Sequence, residues 1–231
     1  KPIDKEEFQL ISSQKENALS QAIEESNPRG MTDIGYNYLN KLNIHQQLEN
    51  YLNYTSLQLK DGNTISIIDT ESELYAKCDT SNGSYAFKGN ADRIDRFDGT
   101  LRVIDYKTGI VKSADVTLPY RLDSQDDLEY LKSIPAKALQ LLLYQYMFLK
   151  NNPSYQAGEV QGCIHALKYS NQLEFPLRKP ARRPVGTIVP FLEDDTFIDD
   201  MEKMLSAVVE EISNPDILST QTEDTQKCKN C

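Results

Sequence analysis

The sequence lacks tryptophan and has no long uninterrupted apolar run. Its most apolar stretch, residues 139–149, is interrupted by Gln140, Tyr144 and Gln145. It therefore falls short of the roughly 20 apolar residues that cross a bilayer. The first seven residues are mostly charged and do not begin with Met, which predicts no secretory signal and indicates a piece of a longer chain. We expect a soluble, cytoplasmic protein without membrane contact.

Positive charge is also scarce, because 25 Lys and Arg face 35 Asp and Glu, for a net charge of −10. This balance argues against nucleic-acid binding through bulk electrostatics, since phosphate contacts need Lys and Arg. The same charge balance is compatible with a metal centre beside a local basic groove. The one dense basic cluster lies among prolines and is either a backbone contact for nucleic acid or a solvated loop; it consists of Arg178, Lys179, Arg182 and Arg183.

Four cysteines are present, in two different settings. Cys78 and Cys163 lie in strand-like segments, which predicts reduced, buried core residues. Cys228 and Cys231 form a Cys-x-x-Cys pair at the C-terminus. Such a pair is compatible with half of a zinc or iron–sulfur site, with a redox pair, or with no function. Two thiolates alone do not complete a four-ligand site.

Hydrophobic periodicity predicts helices first, then a meander of strands, then alternating helix and strand. The expected helices are residues 4–27, 34–57, 134–150 and 196–213, and the expected strands are 64–68, 71–78, 84–94, 101–106 and 159–169. The second helix should bury an apolar face, and Thr196 or Asp195 should cap the last one. The length fits one α/β domain, with a helical part at 1–60 and a core with its tail at 61–231.

The most informative stretch is residues 89–109, which read Gly-Asn-Ala-Asp-Arg-Ile-Asp-Arg-Phe-Asp-Gly-Thr-Leu-Arg-Val-Ile-Asp-Tyr-Lys-Thr-Gly. A turn at Asp98-Gly99 would join two strands and bring Asp92 close to Asp105. Both acids have apolar neighbours, so an unpaired charge there would be costly. A divalent cation such as Mg²⁺ or Mn²⁺ would relieve the cost and the mutual repulsion.

Lys107 follows Asp105 by two residues, so strand alternation puts both side chains on one face. An ammonium there would orient the attacking water, help to deprotonate it, or offset charge that develops on a phosphate. The alternative interpretation is a salt-bridge ladder across a hairpin, worth at most about 1 kcal/mol.

Three elements together resemble the RecB-type nuclease family, including its AddB and CRISPR-associated relatives. They are Gly-x-x-Asp-Arg-Ile-Asp from Gly89, Val-Ile-Asp-Tyr-Lys-Thr-Gly from Val103, and Gln-Leu-Leu-Leu-Tyr from Gln140 on a helix. The resemblance implies a restriction-endonuclease-like PD-(D/E)XK core, in which helices flank a mixed β-sheet. The apolar strand predicted at 159–169 fits the same core.

The resemblance also implies roles for individual residues. Asp92, Asp105 and the main-chain carbonyl of Tyr106 would bind Mg²⁺ or Mn²⁺, and Lys107 would be the catalytic lysine. Gln140 and Tyr144, at i and i+4 of a helix, would face the site and contact DNA phosphate or support the metal centre. Without the resemblance, this pair would be interpreted as a helix-surface Gln and a core Tyr.

The sequence departs from the family pattern at its histidines. The family usually carries a metal-binding His on a helix upstream of Gly-x-x-Asp. His45 lacks the expected Gly-x-x-x-His setting and is interpreted as a partly exposed helix residue, and His165 lies in a late strand. We expect the family His before Lys1, so that the isolated domain would bind metal weakly.

Two further features only partly match the family. Glu71 and Glu73 lie where the family often has an acid that supports the site. The alternative interpretation is that they are acidic strand residues that face solvent. Cys228 and Cys231 resemble the start of the cysteine tail that holds an iron–sulfur cluster in some relatives, but no third cysteine follows. A cluster is therefore expected only in a longer parent protein.

The resemblance implies Mg²⁺-dependent hydrolysis of DNA, as the exonuclease module of a helicase–nuclease system for repair or recombination. No Gly-x-x-x-x-Gly-Lys-[Ser/Thr] motif is present, so a helicase would lie on another domain or subunit. The alternative is a catalytically silent nuclease fold that binds DNA or serves as a scaffold.

Overall fold

Alternating segments after residue 64 form the first three strands of a mixed five-stranded sheet. The computed structural model describes residues 1–26, 34–80, 83–122, 125–181, 187–188 and 196–215. Its strands are β1 (Ile65–Thr80), β2 (Gly83–Phe97), β3 (Thr100–Lys107), β4 (Arg121–Leu122), β5 (Val160–Ala166), β6 (Glu174–Pro176) and β7 (Thr187–Ile188). The main sheet has the order β1-β2-β3-β5-β6, and β4 pairs with β7 separately. β3 and β5 are parallel, whereas their other neighbours in this sheet are antiparallel.

Helices cover both faces of this sheet. They are α1 (Lys5–Ser13), α2 (Lys15–Ser26), α3 (Gly35–Lys60), α4 (Asp127–Ser133), α5 (Ala136–Asn151) and α6 (Phe197–Ser213). We define the front face as the one that packs on α5 and α6, and the rear face as the one that packs on α3. Asp105 reaches α5 through Gln140, whereas the next residue, Tyr106, packs its ring on Tyr51 of α3. This arrangement confirms the predicted α/β class.

The main core lies between the front face and the helices α5 and α6. α5 is the most deeply buried helix, and its fully buried side chains include Leu141, Leu142 and Tyr146. It packs closely on β5 because Gly162 has no side chain. A Cβ atom at Gly162 would lie 2.9 Å from Leu141 Cβ and 3.2 Å from the Leu141 carbonyl oxygen. This glycine therefore sets how near α5 lies to the sheet.

Three element predictions were wrong in detail. The single helix expected at 4–27 is divided into α1 and α2 at Gln14, which is the C-cap of α1. The two strands expected at 64–68 and 71–78 form one strand, β1, with a register shift between Ile67 and Asp69. Thr196 is the N-cap of α6 but makes no capping hydrogen bond through its side chain.

Four of the described elements were not predicted. They are the helix α4 and the short strands β4, β6 and β7, of which β6 lies within the proline-containing stretch after residue 170. The expected buried face of the second helix is also only partly present, because the N-terminal half of α3 leaves Tyr36, Leu39 and Leu42 exposed. Its C-terminal half supplies the buried residues of the helix, which are Asn50, Thr55 and Leu59.

The structure confirms Cys78 and Cys163 as buried, free cysteines. Among the described helices, none combines the length and the apolar character that crossing a membrane requires. Arg178 and Lys179 of the basic cluster are exposed, and the Arg178 backbone pairs with Val116 and Leu118. Predictions for Arg182, Arg183, Asp195, Cys228 and Cys231 fall outside the described residues.

We expect Gly162→Ala to lower the free energy of unfolding by about 1–3 kcal/mol, because the new methyl group would force α5 away from β5. Urea denaturation measures this change. Gly109→Ala is the matched control, since a Cβ atom there meets nothing within 4 Å. Equal stability of the two variants would contradict the close packing of α5 on β5.

Candidate active site

The antiparallel pairing of β2 with β3 brings the two predicted carboxylates together. Arg93 pairs with Ile104, so one further step in the same register places Asp92 opposite Asp105. The Asp92 carboxylate accepts a hydrogen bond from the main-chain N–H of Tyr106. Asp92 is therefore held against the strand that carries Asp105, as the turn between the strands predicts.

Asp105 is the most buried acid of the site, with 4% of its surface exposed. Its Oδ1 accepts a hydrogen bond from Gln140 Nε2 at 2.8 Å, and its Oδ2 forms an ion pair with Lys107 Nζ at 2.9 Å. Burial raises the pKa of Asp105, the Lys107 ammonium opposes this rise, and the Asp92 carboxylate adds to it. The site thus holds a carboxylate whose charge is incompletely compensated.

The two residues predicted on a helix both face this carboxylate. Gln140 Nε2 lies 2.8 Å from the Tyr144 hydroxyl oxygen as well as from Asp105 Oδ1, so one amide group donates to both. Tyr144 is 9% exposed, and burial raises the pKa of its hydroxyl. The structure therefore brings Gln140 into contact with Asp105, and Tyr144 into contact with Gln140. Gln140 is half-buried, and Tyr144 is also a core residue, as the alternative interpretation has it.

Gly89 opens the Gly-x-x-Asp motif and contributes through the absence of a side chain. A Cβ atom at Gly89 would lie 3.0 Å from Tyr144 Cε1 and 2.7 Å from Met147 Cε. The glycine lets β2 approach α5 closely enough for Tyr144 to lie beside the acids. No role was predicted for Gly89, although a glycine inside a strand often marks such a close approach.

The second acid of the Asp-Arg-Ile-Asp motif belongs to the opposite face of the sheet. Asp95 is fully buried on the rear face, where Arg102 donates to both of its oxygens at 2.8 Å. Arg93 donates to the same carboxylate. No function was predicted for Asp95, and these contacts identify it as the centre of a buried ion-pair network.

The two histidines lie apart from the carboxylate pair. His45 is partly exposed on α3, as predicted, and lies 3.7 Å from Glu16. His165 is 1% exposed on the rear face and stacks at 5.9 Å from the ring of Tyr106. Burial lowers the pKa of His165, which keeps it neutral at pH 7.

The two glutamates considered as supporting acids are exposed on β1. Glu71 accepts a hydrogen bond from Asn90 Nδ2 at 2.9 Å and has a φ of +51°, which is in the left-handed region. Among the described residues, neither glutamate contacts Asp92 or Asp105. The solvent-facing interpretation agrees with this exposure.

The described residues contain no group of three or more His, Cys, Asp and Glu side chains positioned to hold a metal ion. The site offers two carboxylates, Asp92 and Asp105. Asp105 Oδ2 is buried, and within the described part of the chain its partner is the Lys107 ammonium at 2.9 Å, without a hydrogen bond of regular geometry. A paired set of hard oxygen atoms with uncompensated charge suits Mg²⁺, which uses one or two carboxylates and keeps several waters. The residues present therefore fit a divalent cation.

Known proteins match the chain at the level of its family. No curated protein matches the chain. A solved structure described as "Crystal structure of SSO0001" has 17% sequence identity and a TM-score of 0.29, over 76% of this chain and 71% of that one, and carries no functional argument. The family model of the PD-(D/E)XK nuclease superfamily matches residues 5–231. Together with the mixed sheet flanked by helices, this match shows that the chain belongs to the PD-(D/E)XK nuclease superfamily and has its restriction-endonuclease-like fold.

Proposed function

We propose that the protein hydrolyses phosphodiester bonds of DNA with the help of a divalent cation, Mg²⁺ or Mn²⁺. The observation that carries the proposal is the position of Asp92 opposite Asp105, with Lys107 two residues further along the same strand and 2.9 Å from Asp105. A surface salt-bridge ladder would not need one of its acids to be almost fully buried. Membership of a nuclease superfamily supports the same chemistry.

Asp92, Asp105 and the main-chain carbonyl of Tyr106 are the groups that would hold the cation. When bound, a divalent cation offsets negative charge at a phosphate and lowers the pKa of a coordinated water. Gln140 fixes the orientation of Asp105 through its Oδ1 atom. The Asp92 carboxylate is oriented by the Tyr106 N–H. Both acids are thus set in place by hydrogen bonds before any substrate binds.

Lys107 would act on the water and on the phosphate. Its side chain is 32% exposed, so the ammonium lies at the boundary between the buried Asp105 and solvent. From there it can orient the attacking water or stabilise the charge that develops on the phosphate in the transition state. The pairing with Asp105 holds the ammonium at this position.

Tyr144 would contact the DNA backbone. Its hydroxyl oxygen accepts a hydrogen bond from Gln140, which leaves the hydroxyl proton for another acceptor, such as a phosphate oxygen. Because Tyr144 is nearly buried beside Gly89, its orientation is fixed by packing. A phosphate contact here would set the position of the substrate relative to Asp105.

We further propose a RecB-type exonuclease module that works with a helicase in DNA repair or recombination. The order of the three motifs, from Gly89 to Tyr144, supports this assignment. No Gly-x-x-x-x-Gly-Lys-[Ser/Thr] motif is present in the chain, so the ATP-driven step is assigned to another domain or subunit.

A second candidate function is DNA binding without hydrolysis, as a scaffold module of a larger assembly. One observation favours it, namely that two carboxylates, rather than three or more ligand side chains, converge within the described residues. The two functions differ in their metal dependence, because only hydrolysis requires cation binding between Asp92 and Asp105.

We expect Asp105→Asn and Lys107→Met each to lower Mg²⁺-dependent cleavage of linear DNA by about 10²–10⁴-fold, since each removes a group from the reacting centre. Release of labelled nucleotides from single- and double-stranded substrates measures the rate. Asp79→Asn, an exposed acid on β1, is the matched control. Cleavage by wild type that EDTA does not stop, or that both variants retain, would contradict the proposed chemistry.

We expect Asp105→Asn to raise the melting temperature of the metal-free protein, because the buried carboxylate destabilises the fold when it is ionised. The pKa of Asp105 is raised, so this destabilisation is present at neutral pH and disappears as the pH falls below the ordinary range of an aspartate. Mg²⁺ should raise the melting temperature of wild type only. Thermal unfolding in EDTA and in Mg²⁺ measures both effects, and an equal response of the two proteins to Mg²⁺ would argue against a cation at Asp105.

A further inference from the structure

Tyr106 connects the two faces of the sheet at the centre of the site. It lies between Asp105 and Lys107, whose side chains point to the front face, so its own side chain points to the rear. There its ring meets the ring of Tyr51 edge-on, at 5.7 Å between centroids and an interplanar angle of 75°. Tyr106 is thus the chain neighbour of Asp105 and, through its main-chain N–H, a hydrogen-bond partner of Asp92.

Arg93 is the charged residue that holds this region from the rear. It is 5% exposed, and its guanidinium donates to the Tyr51 hydroxyl, to the Asp95 carboxylate and, at 3.4 Å, to the Tyr106 hydroxyl. Its Nε makes no hydrogen bond to the described residues. The guanidinium thus connects Tyr51 of α3 and Asp95 of β2 to Tyr106 of β3.

Two consecutive residues of β2 thus bind Tyr106 from opposite faces. Asp92 accepts the Tyr106 N–H on the front, and Arg93 contacts the Tyr106 hydroxyl on the rear. We propose that Arg93 is a positioning residue of the nuclease reaction, which fixes Tyr106 and thereby the separation of Asp92 from Asp105. This inference rests on the proposed function, because it assigns Arg93 a part in assembling that same site.

The helix α3 takes part in this positioning. Besides Tyr51, it contributes Gln47, which donates to the Thr108 carbonyl at 3.4 Å, and Asn50, which donates to the Leu167 carbonyl at 3.2 Å. Thr108 and Leu167 directly follow β3 and β5. Arg93 therefore joins β2 to a helix that also contacts the ends of the two parallel strands.

The charge of Arg93 can be kept while its geometry is changed. Arg102 independently donates to both oxygens of Asp95 and also pairs with Glu174, so Asp95 retains a partner when Arg93 is altered. A lysine at position 93 would preserve the charge but not the planar fork that reaches two hydroxyls and a carboxylate together. Arg93→Lys therefore tests positioning with little loss of charge balance.

The chain offers a matched control on the same strand. Arg96 donates to the Tyr155 hydroxyl at 2.8 Å and lies 5.6 Å from the centre of that ring, whereas Arg93 lies 5.9 Å from the ring of Tyr51. Arg96 is three residues further along β2, beside the Asp98-Gly99 turn, to whose Gly99 carbonyl it also donates. Both arginines thus make an Arg–Tyr contact, but only Arg93 contacts Tyr106.

The experiment compares Arg93→Lys and Tyr106→Phe with Arg96→Lys and Tyr155→Phe. Isothermal titration calorimetry measures Mn²⁺ affinity without DNA, and cleavage assays measure kcat, KM and the Mg²⁺ concentration at half-maximal rate. We expect the first pair to bind Mn²⁺ about 10-fold more weakly and to need correspondingly more Mg²⁺. KM for DNA should stay near that of wild type, and the control pair should match wild type in every measurement.

The outcomes separate the inference from the proposed function. If wild type neither binds Mn²⁺ nor cleaves DNA, the proposed function fails and the inference fails with it. If wild type is active, and both Arg93→Lys and Tyr106→Phe retain its Mn²⁺ affinity while only their melting temperatures fall, Arg93 is structural and the inference alone is overturned. Should Arg93→Lys not fold, Tyr106→Phe decides, because it leaves the Arg93–Asp95 pair in place.

Discussion

The register between β2 and β3 is the constraint on which the site depends. Side chains alternate between the faces of a strand, so a slip of β2 by one residue would exchange its front and rear side chains while those of β3 stay in place. Asp92 would then lie on the rear face, away from Asp105, and Asp95 would lie on the front face, away from Arg102. The pairing of Asp95 with Arg102 across these two strands opposes such a slip, because it would leave charges buried without partners. The ion-pair network on the rear face thus stabilises the register that the front face needs.

The two faces of the sheet differ in how far their buried charges are balanced. On the rear face, Arg93 and Arg102 stand against Asp95 and Glu174, so the buried charges balance. On the front face, Asp92 and Asp105 face the single ammonium of Lys107 within the described site. The excess of negative charge destabilises the protein alone and favours a cation, which is the usual opposition between stability and function at a catalytic centre. The net charge of −10 is therefore compatible with a site that binds cations.

The sequence was sufficient to predict the parts of the site that depend on local rules. Strand alternation predicted that Asp105 and Lys107 share a face, and the Asp98-Gly99 turn predicted that Asp92 lies close to Asp105. The approach of Gln140 was implied by the family resemblance alone, and the structure brings Gln140 and Lys107 to Asp105. The position of Asp95 was not predicted, because a buried ion pair depends on tertiary contacts with Arg102. Gly89 was missed for a similar reason, since its role is defined by the neighbouring Tyr144.

Secondary structure shows the same division between local and tertiary causes. The central strands and α5 were predicted because their patterns are long and periodic. The break between α1 and α2 at Gln14 was not, because the apolar spacing of the two helices continues across it. The interruption of β1 near Glu71 was interpreted as a gap between two strands, although pairing with β2 carries the strand through it. The exposure of Tyr36 on α3 has no signature in the sequence, because an apolar periodicity does not reveal which elements will be available to cover it.

The parallel pairing of β3 with β5 has a consequence for the order of folding. β1, β2 and β3 follow one another through short turns, whereas β5 joins β3 only after a connection of about fifty residues that contains α5. Contacts close in sequence form with less loss of chain entropy, so the hairpin that bears both carboxylates can form before the crossover closes. The two acids would then meet before Gln140 and the rest of α5 arrive. In a nascent chain, the two carboxylates would first lie side by side in contact with water, which screens their repulsion. They would become buried only when α5 packs on the sheet.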